Sequence, residues 1–210
     1  MTGRIQIDLF TTLDLVAQAP GGPEEDTEGG FEYGGWQAPF FDDVVGRSVG
    51  DGIADLDALL LGRKTYDIFA AYWPKHEGSD SAIADQFNRV PKYVASRSDL
   101  ELSWAGSTRI GSDLVAEVQA LRERHRNIHV IGSLDFVQTL LRERLFDELL
   151  LWVYPLVLGK GKPVFGPGTE PSTMRLLAPA VTGSAGAVQL RYAPGGPVRT
   201  GDMGSDSRGV

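Results

Sequence analysis

RNIHVIGSLDFVQTLLRERLFDELLLWV, residues 126–153, carries three elements in a row. Ile128, His129, Val130 and Ile131 form a short, mostly apolar run that stops at Gly132, as a buried strand does. Ser133 stands at a helix-cap position, and Phe136, Val137, Leu140 and Leu141 then fall on one helical face. Leu149 to Val153 is a second apolar run. Strand, helix and strand joined by short links are the unit from which largely parallel open sheets are built.

The same grammar extends upstream. Ile5, Ile7 and Leu9 alternate as in a half-buried strand. Pro20 to Gly35 is rich in Gly, Pro and acids and predicts a long surface loop, and loops of that length in a compact domain are often functional. Pro39 to Leu59 has largely helical composition, interrupted by Gly46, Gly50 and Gly52. Leu59-Leu60-Leu61 is a buried strand ended by Gly62, and Lys64 to Tyr72 is a helix ended by Pro74. A short helix over Ser81 to Asn88 and a strand over Tyr93 to Ala95 follow. Ser112 is expected to cap a helix with Leu114, Val118 and Leu121 on one face. Downstream, Arg175 to Val181 and Val188 to Tyr192 read as two strands. The expected fold class is α/β, with a largely parallel central sheet and a C-terminal antiparallel hairpin. Residues 1–193 form the expected domain, and 194–210, rich in Gly and polar residues, a tail that is mobile or draped over a neighbour.

Bulk properties narrow the function. Among 210 residues, 20 Lys+Arg face 28 Asp+Glu, so the net charge of −8 disfavours nucleic acid and anionic membranes as partners. With no cysteine, disulfides, thiolate nucleophiles and Cys-ligated zinc are excluded. The opening MTGRIQIDLF lacks the pattern of a signal peptide, and no run approaches the ~18 apolar residues of a membrane span. A cytoplasmic protein is expected. His76, His125 and His129 share no metal-ligand spacing, so they read as structural and no metal is expected.

Three strand ends carry residues suited to an anion. Gly62-Arg63-Lys64-Thr65 lies between a strand and a helix, where unpaired N–H groups and the helix dipole favour phosphate. Ser96-Arg97-Ser98 follows the next strand, and an Arg flanked by hydroxyls can hold a phosphate such as the 2′-phosphate that separates NADPH from NADH. Gly132-Ser133 repeats the junction, with Gly permitting close approach of a pyrophosphate. Singly, each also reads as an ordinary turn or capped helix, and together they weigh more. GxGxxG in a dinucleotide-fold setting and GxxxxGK[ST] are both lacking.

On these residues the chain resembles the dihydrofolate-reductase-like superfamily. Gly62-Arg63-Lys64-Thr65-Tyr66 is similar to its phosphate-binding turn, Ser96-Arg97 to its 2′-phosphate turn, and Val130-Ile131-Gly132-Ser133 to the turn under nicotinamide and pyrophosphate. Phe146-Asp147-Glu148-Leu149, Pro155 through Gly161, and Pro163-Val164-Phe165 match most specifically. They resemble the branch formed by the reductase domain of riboflavin biosynthesis, the C-terminal half of bifunctional deaminase-reductases, and its free-standing relatives. The resemblance spans roughly residues 4–192. It implies helices on both faces of the sheet, an NADPH cofactor, a small-molecule substrate and a homodimer, for which Leu149 to Val153 and Leu156 to Leu158 could supply a face. Two departures stand out: Gly132-Ser133 replaces Gly-Gly, and Thr12-Leu13-Asp14-Leu15 replaces Ser-x-Asp-Gly, which places Leu where a positive φ is costly.

The reading that follows is an NADPH-dependent reductase of a small heterocyclic or carbonyl-type substrate. Gly62, Arg63, Lys64, Thr65, Ser96, Arg97, Gly132 and Ser133 would hold the cofactor. Asp14 would contact substrate or assist proton delivery, and Trp36 would stack on the substrate or else plug the domain edge. Asp42-Asp43 reads as a helix cap. Reduction of 5-amino-6-(5-phosphoribosylamino)uracil is the riboflavin-pathway alternative, dihydrofolate reduction a more distant one, and a non-catalytic nucleotide-binding module the alternative of another class.

Overall fold

A computed structural model describes residues 2–76 and 81–202. The tail expectation falls in part on 203–210, outside the described residues. A nine-stranded sheet runs through the molecule. In chain order its strands are β1 (Arg4–Thr12), β2 (Ala58–Gly62), β3 (Lys92–Ala95), β4 (Ser107–Ile110), β5 (Asn127–Val130), β6 (Glu148–Tyr154), β7 (Met174–Leu176), β8 (Val181–Thr182) and β9 (Val188–Pro194). Their spatial order is β4-β3-β2-β5-β1-β6-β9-β7, with β8 also on β9. β4 through β6 in that order pair in parallel, and β9 pairs antiparallel with β6, β7 and β8. This is the expected α/β class with its antiparallel finish.

Helices cover both faces. On one face α4 (Leu114–Arg124) and α5 (Leu134–Arg142) pack Val118, Leu121, Phe136, Val137 and Leu140 against Ile5 and Ile7 of β1. On the other, α1 (Asp43–Ala54), α2 (Arg63–Tyr72) and α3 (Ala82–Arg89) pack Ile53, Tyr66 and Phe87 against Leu59, Leu61 and Val94. Period-2 alternation explains why Leu60 and Leu61 join opposite cores. A third cluster around Trp36, Trp152 and Tyr154 closes the far end.

Several boundaries move for physical reasons. The helix expected over 39–59 is confined to α1, because Asp42 accepts from the backbone N–H groups of Val44 and Val45 and starts it there. α4 is capped by Asp113, which accepts from Ala116 N at 3.2 Å, while the Ser112 hydroxyl donates to Glu117 at 3.1 Å. The strand expected over 175–181 divides into β7 and β8 around Pro179, which has no N–H to give a ladder. β4 was not foreseen: of its four residues Ile110 alone is buried, so it carries no hydrophobic signature and rests on backbone pairing with β3. β6 lies inside the sheet between β1 and β9 with Leu149 to Trp152 buried, so of the face expected for a dimer it is the run from Leu156 to Leu158, with Val157 exposed, that reaches the surface.

Candidate active site

β3, β2 and β5 are parallel neighbours, so their carboxyl ends, and the three anion-suited turns, share one edge of the sheet. Gly62 N donates to Gly132 O at 2.9 Å, which joins two of the turns directly. A Cβ on Gly62 would stand 2.2 Å from Ser133 Oγ, so glycine is needed there for space. Gly132 has φ 141° and would press a Cβ within 2.5 Å of Thr65 Oγ1. The Gly132–Ser133 peptide is cis. The third turn touches the first through Arg63 Nη1, which donates to Ser98 Oγ at 3.3 Å.

The helix starts at this edge differ from the others. α1, α3 and α4 each begin under a side-chain cap from Asp42, Ser81 and Asp113. α2 begins at Gly62 and α5 at Ser133 with no side-chain cap hydrogen bond, so Ser133 holds the cap position expected of it without capping. Two helix N-termini with uncapped N–H groups, brought side by side, form an anion-binding surface.

Beside them opens a cavity with two lobes. The first, about 230 Å³, is lined by Lys64, Thr65, Gly132, Ser133 and the loop around Gln18 to Asp26. The second, about 250 Å³, is walled by Phe41, Ile53, Phe87, Leu150 and Trp152 and lies over the sheet. Asp8, Phe10, Gln37, Phe69, Trp73 and Ile131 line both lobes.

The expected residues distribute unevenly over this cavity. Thr65, Gly132 and Ser133 line the first lobe. Gly62 lies behind it as a spacer, and Ser96 is buried with its hydroxyl donated to Ser98 O at 2.7 Å. Arg63 and Arg97 are exposed beyond the lobe's lining. Arg97 makes no side-chain hydrogen bond or ion pair among the described residues, whereas Arg63 also reaches Asp67 at 3.4 Å. Lys64 lines the lobe, but its ammonium is engaged by Asp26 at 2.8 Å and by Glu28, and Lys162 binds the same two carboxylates at 2.8 and 2.6 Å. Partial burial lowers the Lys64 pKa, yet the two acids outweigh it and hold the group charged. Glu25, also on the lobe, is pushed up by burial despite accepting from Gly21 N and Gly22 N.

Asp14 is corrected, and of the two readings of Trp36 the structure takes the second. Asp14 does not line either lobe. Its carboxylate accepts from Gly159 N at 2.7 Å, from Leu158 N at 3.2 Å and from the Thr12 hydroxyl, tying the turn after β1 to residues 158–159. Partial burial raises its pKa, but these hydrogen bonds prevail and hold it below the ordinary carboxylate range. Trp36 is buried, donates its indole N–H to Gln18 O at 2.8 Å and meets Tyr154 edge-on, so it plugs the domain edge. Its neighbour Gln37 faces the cavity instead and donates to the Tyr154 hydroxyl at 2.8 Å.

A model of the RibD C-terminal domain family matches residues 4–185. The chain belongs to the RibD C-terminal domain family. That membership makes it a reductase-type oxidoreductase. Its relatives include the Bacillus subtilis protein YyaP, of uncharacterised function, 28% identical over 192 residues that cover 90% of this chain and 94% of YyaP. Among solved structures, a Shewanella sp. PV-4 protein assigned to riboflavin biosynthesis superposes with a TM-score of 0.71 at 19% identity, covering 93% of this chain and 99% of that one. A dihydrofolate reductase from Enterococcus faecalis, solved with NADP(H), superposes with a TM-score of 0.57 at 14% identity, covering 92% and 98%. These superpositions establish the dihydrofolate-reductase-like fold.

Sequence reasoning missed a carboxylate that lines both lobes of the cavity, Asp8, and the buried histidine behind it. Asp8 on β1 and His129 on β5 face each other with Oδ2 and Nδ1 2.6 Å apart, and His129 is 1% exposed. The approach lacks hydrogen-bond geometry, and neither atom has another partner among the described residues. A signal existed. A central parallel strand covered on both faces should read as continuously apolar, yet Gln6 and Asp8 alternate with Ile5, Ile7 and Leu9. Polar residues on the covered face of such a strand mark a cavity.

Proposed function

We propose that the chain is an NADPH-dependent reductase of a small heterocyclic or carbonyl-type substrate. The observation that carries the proposal is the pair of uncapped helix starts, α2 and α5, joined through Gly62 and Gly132 beside a cavity that continues into an apolar lobe. Backbone N–H groups there, with Thr65 and Ser133, fit a pyrophosphate, and Gly132 allows close approach. Arg63, Arg97 and the Ser96 turn fit the more distant phosphates at the same edge. Arg97, exposed and unpaired among the described residues, suits a 2′-phosphate. Lys64 joins them once Asp26 and Glu28 yield its ammonium.

The bound nicotinamide supplies a hydride, and the protein supplies position and field. The apolar lobe excludes water from the reacting face. Asp8, which lines both lobes with His129 packed behind it, takes over the proton-handling role that the sequence assigned to Asp14. Titration with NADPH, followed by tryptophan fluorescence because Trp73 lines both lobes, tests the proposal. Saturable quenching together with NADPH oxidation on a carbonyl and pterin panel is expected; no uptake of either NADPH or NADH at millimolar concentration refutes it. Binding without turnover would favour the non-catalytic nucleotide-binding module. Family membership favours the riboflavin-pathway step as the alternative substrate assignment, and turnover of 5-amino-6-(5-phosphoribosylamino)uracil tests that. Cytoplasmic location and homodimerisation belong to the same proposal, the latter checked by size exclusion at micromolar concentration.

A further inference from the structure

The lining of the first lobe is at odds with an anionic ligand. Among the described residues its cations are Lys64 and Lys162, and its carboxylates are Asp8, Glu25, Asp26 and Asp135. Asp26 engages both ammonium groups at 2.8 Å, and Glu28 engages Lys162 at 2.6 Å and Lys64 as well. Two cations against two acids leave no positive charge for a pyrophosphate. Burial raises the Asp26 pKa, but Lys162 and Lys64 outweigh it and hold the carboxylate ionised at neutral pH. The two sides of the cluster are held differently. Lys64 sits in the first turn of α2, where the positive helix end disfavours a cation that lacks an anion. The Lys162 backbone is fixed, its N–H donating to Gln18 Oε1 at 3.1 Å and its carbonyl accepting from Ala17 N at 2.9 Å. Glu25, Asp26 and Glu28 all ride on segment 21–30, in which no residue is buried, whereas Ala19, Phe31 and Trp36 on either side of it are. Besides the ion pairs, the Gln18 amide holds the segment through Asp26 O and Glu28 O, at 3.0 Å each.

We propose that segment 21–30 is a latch: Asp26 and Glu28 compete with a ligand's pyrophosphate for the ammonium groups of Lys64 and Lys162, and binding of the pyrophosphate releases the segment from the lobe. The proposal rests on the reading of this lobe as the pyrophosphate site of a reductase. When the segment swings out, Glu25 and Asp26 leave the lining, and two cations face the uncapped starts of α2 and α5. Phosphoryl oxygens then accept the charge-assisted hydrogen bonds that the carboxylates gave up. The movement uncovers no core, because the segment buries no residue. The ligand therefore works only against the ion pairs and the Gln18 contacts, and its apparent affinity is its intrinsic affinity scaled by the fraction of chains whose latch is open. Lys162 becomes an anion-binding residue that the sequence reading left out, carried on a turn that its own backbone fixes.

Calorimetric titrations of the full chain with inorganic pyrophosphate and with NADPH test the latch. The variant combining Asp26→Asn with Glu28→Gln should bind both ~10-fold tighter than the wild type, the size of a typical coupling between two competing sites. Lys162→Met should weaken both by a similar factor. Glu24→Gln with Glu32→Gln makes the same change in net charge at two exposed positions of the same loop that do not line the lobe, and should leave both affinities as in the wild type. A purely structural role for Asp26 and Glu28 predicts the opposite sign, since a loosened loop binds more weakly. Pyrophosphate affinity that is unchanged or lower in the first variant overturns the proposal, as does equal tightening in the Glu24 and Glu32 variant, which would mark a general charge effect. Should the first variant lose its cooperative melt, Glu28→Gln alone, at an exposed carboxylate, carries the same comparison. Tighter pyrophosphate binding with no NADPH uptake by any variant sinks the reductase reading and supports the latch. NADPH uptake with one affinity in wild type and variant sinks the latch and leaves the reductase reading standing.

Discussion

Leu15 shows how single residues here resist reading from type alone. It adopts φ 62°, a left-handed conformation that glycine adopts without cost. The strain, roughly 1–2 kcal/mol for a residue with a Cβ, is offset by packing of the side chain on the main core and by its carbonyl accepting from Val164 N at 2.8 Å. Asp14 reads as a ligand-facing acid, and Trp36 as either a ligand-facing or an edge-plugging aromatic, because loop acids and aromatics serve in these ways; the partners that decide, Leu158, Gly159 and Gln18, are distant in sequence and leave no local trace. Arg97 carries the sharpest residue-level prediction. Arg97→Ala should weaken NADPH by roughly 10- to 100-fold, the worth of a charge-assisted hydrogen bond, and leave NADH unchanged; parallel titrations check this, and equal loss for both removes the 2′-phosphate role. Gly62→Ala should destabilise the fold by roughly 1–3 kcal/mol, as overpacking does, because its new methyl meets Ser133 and Phe136. Urea unfolding measures the loss, and NADPH affinity should fall with it.

Among the elements, caps decide function as much as boundaries do. Asp42 fastens the start of α1 to the turn between β8 and β9, accepting from Ala185 N and the Ser184 hydroxyl at 2.9 Å each. Backbone N–H groups of Val45 and Ala185 hold its carboxyl down at about 2. A depressed folded-state pKa gives stability that is complete above the ordinary carboxylate range near 4 and is lost as pH falls through about 2. Asp42→Asn should therefore lower Tm at pH 7 by roughly 2–4 °C, and the gap from wild type should close between pH 4 and 2, as thermal melts across that range would show. α2 and α5, lacking such caps, are stabilised by packing of Tyr66, Phe136, Val137 and Leu140, which frees their N-termini for an anion. Helices and strands with strong apolar periodicity were legible; β4 was not, because an edge strand needs only backbone partners.

At the scale of the whole molecule, the cavity exists only because sheet order departs from chain order. β5 enters between β1 and β2, which sets His129 beside Asp8 and the start of α5 beside that of α2. A ligand that binds this assembled site and not the unfolded chain must stabilise it. NADPH at about 100 times its Kd should contribute ~2.7 kcal/mol, raising Tm by roughly 5–10 °C, with NADH giving a smaller shift; differential scanning fluorimetry measures both, and no shift with either contradicts a shared cofactor edge. The amino-acid sequence by itself determined the α/β class, the core-facing helical stripes and the three glycine- or arginine-bearing strand ends, because these follow from periodicity and turn chemistry within a few residues. Tertiary structure alone decided which polar groups are held by distant partners and which stay open to a ligand. Asp14, Lys64 and Trp36 fell on one side of that division and Arg97 on the other, since long-range hydrogen bonds and strand order are set by the packing of the whole chain.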